Sequence, residues 1–257
     1  MTATGFASKL RAREPVAGVW TQIGHPVVAE VLADEFDFVV LDGEHSENDV
    51  SDLAALVRAV DAAAGDAAPV VRVSEANRAE IRRVLDFGPE GIVVPQIETV
   101  EEAREAVAAA RYPPDGVRGV AGGRASEYGR NLEEYVDTAN ESVATIIQVE
   151  TPSLVEDVDE VVEIDGLDAL FVGPADLSAR LGCFGEFDGD SFRRAIDRIV
   201  DAAAGTDVVV GTLATTLDTV DSRLDWGMDF LALGTDVGYL KRSAAEFTDA
   251  YDRTLRD

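Results

Sequence analysis

The chain of 257 residues has one cysteine, Cys183, two lysines, Lys9 and Lys241, and two histidines, His25 and His45. A single cysteine excludes an internal disulfide and a cysteine-rich zinc site, and the expected setting is the cytoplasm. No apolar run reaches the roughly 18 residues of a membrane span. The segment Met1–Arg13 carries no apolar signal-peptide core. Positive charge is also short: 22 lysines and arginines face 50 acids, a net charge of −28, which would repel the phosphates of a nucleic acid. The acids are spread along the whole chain and arginine stands in for lysine. Such a surface suits concentrated salt, where the Debye length falls to about 3 Å at 1 M. It predicts a halophilic, archaeal cytosol and says nothing about activity.

What the chain does have is a 46% hydrophobic fraction, enough for a large core, arranged as short β-rich runs alternating with amphipathic, alanine-rich segments. The runs are Val16–Trp20, Phe36–Leu41, Val70–Val73, Gly91–Pro95, Ala144–Gln148, Ala169–Val172, Val208–Thr212 and Phe230–Leu233. Helical periodicity fills Asp49–Ala64, Arg78–Phe87, Val100–Arg111, Pro152–Ile164 and Ser191–Ala204. Eight strand–helix units in a chain of this length predict an α/β fold, a (β/α)8 barrel, as one domain over 1–257. A doubly wound sheet is the alternative, but Thr21-Gln22-Ile23-Gly24-His25-Pro26 after the first run is not its glycine-rich turn.

Two stretches read alike. Ile146–Glu150 and Leu170–Asp176 are apolar runs that each end in a carboxylate. Carboxylates just past parallel strands sit where α/β enzymes keep their chemistry, so Glu150 and Asp176 could share one divalent metal or could merely cap the following helices. His45 closes Asp42-Gly43-Glu44-His45 after the second run. It is a candidate base, with Asp42 near enough to fix its tautomer; a chance histidine on a surface loop is the plainer reading. His25, before Pro26, suits a helix cap or the rim of a site. Arg72 interrupts Val70–Val73 and could meet a bound anion with its planar fork, or form a rim salt bridge. Neither lysine lies on a strand, as an imine-forming enzyme would need, and a metal ion is the other common electron sink. Gly173–Ser178 forms a tight turn whose backbone N–H groups could hold an anion. Cys183, with no histidine near it in sequence, reads as a small packed residue. The long connection Pro113–Ser142, carrying Arg118, Arg124 and Arg130, is expected to begin at the catalytic rim.

Taken in order, Gly18-Val19-Trp20, Asp42–His45, Arg72, Arg111–Gly119, Arg124-Ala125-Ser126, Gln148-Val149-Glu150 and Gly173–Ser178 resemble the HpcH/HpaI aldolases, the metal-dependent pyruvate aldolases that include 4-hydroxy-2-oxoheptane-1,7-dioate aldolase. The resemblance runs over nearly the whole chain. It implies a (β/α)8 barrel whose last helix is exchanged with a neighbour, in a homo-oligomer, hexameric or trimeric. It implies cleavage of 4-hydroxy-2-oxo acids to pyruvate and an aldehyde through a pyruvate enolate held on Mg2+, Mn2+ or Co2+. Glu150 and Asp176 would bind that metal, Arg72 would stabilise the enolate oxygen, and His45, oriented by Asp42, would be the general base. Gln148, Ser126, Trp20 and Leu213 would line the pocket, with Gly173, Pro174 and Ala175 offering backbone to the pyruvate carboxylate. Val120–Arg124 and Cys183–Gly189 depart from the family pattern and leave acceptor choice and assembly open. Two rival readings share the scaffold. One is a CoA-thioester lyase like the citrate lyase β and malyl-CoA lyase group, for which no basic patch is evident. The other is a non-catalytic 2-oxo acid-binding barrel.

Overall fold

Eight short strands with two apolar faces need cover on both sides, and a barrel ringed by helices supplies it. In this computed structural model, which describes residues 5–256, β1 (Val16–Thr21), β2 (Phe38–Asp42), β3 (Ala68–Arg72), β4 (Gly91–Val94), β5 (Ala144–Val149), β6 (Ala169–Val172), β7 (Val209–Ala214) and β8 (Phe230–Thr235) close into a barrel in chain order. Every pairing is parallel. The expected (β/α)8 architecture is therefore present, and the doubly wound alternative is not.

The helices are α1 (Phe6–Arg11), α2 (Pro26–Ala33), α3 (Val50–Ala62), α4 (Arg78–Leu85), α5 (Val100–Ala110), α6 (Leu132–Ser142), α7 (Pro152–Glu156), α8 (Val158–Val161), α9 (Pro174–Arg180), α10 (Asp190–Ala203), α11 (Thr219–Leu224) and α12 (Asp236–Arg256). The barrel interior holds Val16, Trp20, Phe38, Val40, Ala68, Val70, Val93, Ile146, Phe171 and Phe230, and α1 plugs its N-terminal end with Phe6, Ala7 and Leu10. Large rings need empty neighbours: a Cβ at Gly18 would fall on the Phe38 ring, and one at Gly211 on the Phe230 ring. The opposite faces of the strands pack on the helices in a second, larger cluster.

Three local expectations change. β2 begins at Phe38, not Phe36, and takes in Asp42 as its last residue, opposite Arg72 in the β2–β3 register. The helical run 152–164 is split into α7 and α8 at Asp157. The connection 113–142 does not start at the mouth. It follows α5, which has already returned the chain to the N-terminal end of the barrel. Its hydrogen bonds confirm this: Ala125 N–H donates to the Asp86 carbonyl at 3.2 Å, and Arg124 Nη1 to the Phe87 carbonyl at 2.9 Å, both at the tail of α4. Within it lie α6 and a short 3-10 turn, Arg124–Gly129, where Glu127 and Tyr128 are left-handed.

Candidate active site

Side chains alternate along a strand, so the residues that reach the mouth can be counted from the interior. Val16-Gly18-Trp20, Phe38-Val40-Asp42, Ala68-Val70-Arg72 and Ala144-Ile146-Gln148 each place two inner residues and then one at the C-terminal rim. There they line a cavity of about 310 Å³ with His45, Phe171, Gly173, Pro174, Ala175, Asp176 and Leu213. Gln22, Phe187, Thr215, Arg223 and Thr235 complete the wall.

Asp42 and Arg72 form the centre of one half. Asp42 Oδ1 accepts from Arg72 Nε at 2.8 Å and Oδ2 from Arg72 Nη2 at 2.6 Å, and both side chains are buried. Asp42 also accepts from the Trp20 indole at 3.2 Å and from the backbone N–H groups of Glu44 and His45 at 2.9 and 3.3 Å. Burial alone would push the Asp42 carboxyl up; Arg72, the Glu44 amide and Trp20 outweigh it and hold it below its usual value. Arg72 Nη1 meets Glu44 Oε2 at 2.5 Å, and its guanidinium lies over Trp20, 4.8 Å from the ring centroid. The arginine thus has a salt bridge and still lines the cavity.

Here one expectation is corrected. Asp42 does not orient the His45 imidazole. Its oxygens are taken by Arg72, Trp20 and backbone amides, and it reaches His45 only through the main chain. The imidazole is 62% exposed, with Nε2 3.8 Å from Glu44 Oε1. His25 resolves as a cap: its Nδ1 accepts from Val27 N–H at the start of α2.

The other half is carboxylate chemistry. Glu150 is buried, with Oε1 accepting from the Gln96 backbone N–H at 2.6 Å and Oε2 from the Gln148 amide. Burial pushes its carboxyl up; these two hydrogen bonds oppose the shift, and the charges of Glu44 and Asp176 add to it. Asp176, in the first turn of α9, is exposed to the cavity. Neither residue is an N-cap: Thr151 caps α7 with its hydroxyl, and Gly173 stands at the start of α9. Gly173 is glycine for space, since a Cβ there would come within 3.2 Å of both Gln148 Nε2 and Glu150 Oε2.

The donor set suits a hard divalent cation, which is commonly held by one or two carboxylates with water and substrate completing the shell. Asp176 lines the cavity and Glu150 is buried directly behind Gly173, Gln148 Oε1 is buried there without a partner, and a cation would offset the burial that raises Glu150 and the smaller repulsion from Glu44 and Asp176. Among the described residues no cluster of three or more histidine, cysteine or acidic side chains forms a closed metal cage.

Ser126 is not brought to this cavity. It is buried on the opposite face, its hydroxyl donating to the Gly123 carbonyl at 3.1 Å. The loop arginines lie on that face too. Arg118 is stacked on Tyr112 and near Asp86, Arg124 is paired with Asp61, and Arg130 lines a groove beside Gly88–Glu90. They form no part of this cavity's wall because the segment precedes β5 at its N-terminal end. Sequence reasoning also missed Glu44, which lay inside a motif with no role assigned. It missed Gln96, whose left-handed φ of 57° turns its N–H to Glu150 and whose Nε2 donates to Glu44 Oε1 at 2.6 Å. It missed Arg223 as well. No pattern marks the last two.

A family model described as HpcH/HpaI aldolase/citrate lyase matches residues 17–243. The chain is 37% identical over 257 residues to a hydroxypyruvate/pyruvate aldolase of Delftia acidovorans, covering 99% of this chain and 94% of that one. It is 35% identical over 250 residues to a 5-keto-4-deoxy-D-glucarate aldolase of Escherichia coli, covering 96% of each. Among solved structures, an HpcH/HpaI aldolase/citrate lyase family protein from Burkholderia cenocepacia superposes with a TM-score of 0.91 at 36% identity, over 96% of this chain and 98% of that one.

Proposed function

From a chain that belongs to the HpcH/HpaI aldolase/citrate lyase family, we propose an aldolase that cleaves 4-hydroxy-2-oxo acids reversibly to pyruvate and an aldehyde, with the chemistry at the cavity between Arg72 and the Glu150–Asp176 pair. The observation that carries the reading is the arrangement of charge. A buried arginine with donors to spare faces the same cavity as Asp176, and the buried Glu150 carboxylate lies behind the Gly173 wall near enough to feel the charge of Asp176. That pattern suits an anion developing beside a bound cation.

A divalent metal, Mg2+, Mn2+ or Co2+, held by Glu150 and Asp176 would supply Lewis acidity to the oxygens of the 2-oxo acid. The remaining roles fall to this chain's own groups. Arg72 has five N–H donors; two go to Asp42 and Nη1 is ion-paired with Glu44, which leaves donors for an oxygen that gains charge as the C3–C4 bond breaks. Its geometry is set beforehand by the Asp42 fork and the Trp20 ring, so little reorganisation is needed when the charge appears. His45, exposed to the cavity and backed by Glu44, takes the proton of the 4-hydroxyl. Gln148 holds Glu150 in place, and Phe171, Leu213 and Trp20 provide apolar walls that limit water around the enolate. The pyruvate carboxylate is received by the turn at Gly173, Pro174 and Ala175. The only lysines lie on α1 and α12, off the barrel strands, consistent with a route without an imine.

On α12, Leu240, Phe247, Tyr251 and Leu255 are exposed, an apolar face that suits packing against a neighbouring subunit in a homo-oligomer. No helix among the described residues is long and apolar enough to cross a membrane.

Chelation tests the central claim. EDTA treatment should abolish cleavage, and Mg2+ or Mn2+ should restore it, while borohydride with pyruvate should trap no covalent adduct. A trapped adduct would overturn the mechanism.

A further inference from the structure

Among the described residues three arginines are buried: Arg72, Arg118 and Arg223. In a chain with 50 acids, a buried guanidinium normally finds a carboxylate. Arg72 has Asp42 and Glu44, and Arg118 has Asp86 at 3.4 Å. Arg223 has none within 4 Å among the described residues. Its Nε is buried without a partner, and Nη1 reaches only the Ser222 hydroxyl at 3.3 Å. The guanidinium is instead clamped over Trp226 at 3.8 Å and faces Phe187 at 4.9 Å. Arg193 also approaches the Trp226 ring, at 5.8 Å.

Arg223 lines the same cavity as Arg72. It sits on α11, the helix after β7, and Arg72 ends β3; in a closed eight-stranded barrel these strands stand across the mouth from each other. Leu213 and Thr215 of the β7 end share its side of the wall. A 2-oxo acid head bound at Glu150 and Asp176 therefore projects the rest of the substrate into a cavity that contains a second cation, one with no carboxylate within 4 Å among the described residues. We propose that Arg223 is a specificity-determining residue that receives a carboxylate on the aldehyde half of the substrate. The inference rests on the 2-oxo acid being held as described above. Burial draws the pKa of Arg223 below its ordinary value, with Asp188 opposing and Arg193 adding to the shift; an anion in the cavity would relieve that cost. The aromatic clamp supports the role by fixing the fork in one orientation before the ligand arrives.

The test is calorimetric binding, in Mg2+-containing buffer, of two ligands that share a head: 2-oxoadipate, with a terminal carboxylate, and 2-oxohexanoate, without one. The wild-type protein should bind the dicarboxylate about 10²-fold more tightly, the usual scale for a charged hydrogen-bonded pair. Arg223→Met, which keeps the packing on Trp226, should reduce the ratio to within about 3-fold, with the loss falling mainly on the dicarboxylate, and Arg223→Lys should recover only part of it. A wild-type ratio near one overturns the proposal without any variant, as does a ratio that survives in Arg223→Met. If neither ligand binds, the 2-oxo acid reading falls and this inference with it; if both bind equally, only the role of Arg223 falls.

Discussion

Asp42 grips Arg72 at both ends of one carboxylate, 2.8 Å from Nε and 2.6 Å from Nη2, and the two residues stand opposite each other in the β2–β3 register. The strand pairing that closes the barrel thus also aims the arginine. Asp42 is a positioning residue for Arg72, and the arginine reaches the cavity as part of a hydrogen-bonded unit with Asp42, Glu44 and Trp20.

Arg72→Ala should lower turnover by roughly 10²–10³-fold, the usual cost of removing a donor to developing oxyanion charge. Arg72→Lys should recover little, because an ammonium cannot reproduce the fork. Asp42→Ala should also lower kcat, but should add little in the Arg72→Ala background, since it acts through the arginine. Steady-state kinetics of the two single variants and the double variant decide this. Additive losses would separate Asp42 from Arg72, and near-normal turnover in Arg72→Ala would remove the arginine from the mechanism.

Glu150→Gln should abolish cleavage and stabilise the metal-free fold. The Glu150 carboxyl is pushed up by burial, opposed by Gln148 and Gln96 and reinforced by Glu44 and Asp176. A carboxyl with a folded value above the unfolded one favours folding while protonated and loses that contribution as pH rises through the folded value. The advantage of glutamine should therefore be largest near neutral pH and shrink toward the ordinary value of 4.5. Thermal melts of EDTA-treated protein at pH 7 and pH 5 measure it; a variant that melts lower at pH 7 contradicts the assignment.

The barrel was legible because eight β-rich runs alternate with helical periods, and strand parity points Asp42, Arg72 and Gln148 to the mouth. Legibility ended where contact depends on three dimensions. Asp42 and His45 are three residues apart, which suggested a pair, yet Arg72, 30 residues away, takes the carboxylate. Ser126 and the loop arginines seemed to follow β4, but α5 carries the chain back to the other end first. Gln96 contributes a backbone N–H through a left-handed φ, and Arg223 stands out because, among the described residues, no carboxylate lies within 4 Å of it. Neither property is written in residue type or spacing.

Salt should stabilise this protein. With a net charge of −28 and adjacent acids such as Glu101–Glu102, Glu133–Glu134 and Asp159–Glu160, self-repulsion opposes the compact state. Screening shortens its range from about 10 Å at 0.1 M to about 3 Å at 1 M. Melting temperature should rise by about 5–10 °C between low and molar NaCl, corresponding to a few kcal/mol for a chain of this size. A flat or falling curve would argue that the surface is not adapted to salt.

His45→Ala should reduce cleavage by about 10²–10⁴-fold if the imidazole removes the 4-hydroxyl proton. The residue is exposed, so the loss should come without a large change in melting temperature, unlike a change at Asp42. Glu44→Gln should have a smaller effect, because Glu44 is 3.8 Å from Nε2 and is itself held by Arg72 and Gln96; it supports the imidazole without taking the proton. Comparing kcat for the two variants, with a melt of each, separates the roles. Equal losses would make Glu44 the stronger candidate for the base, and a His45→Ala variant within about 3-fold of wild type would exclude His45, given the size of effect a general base normally has.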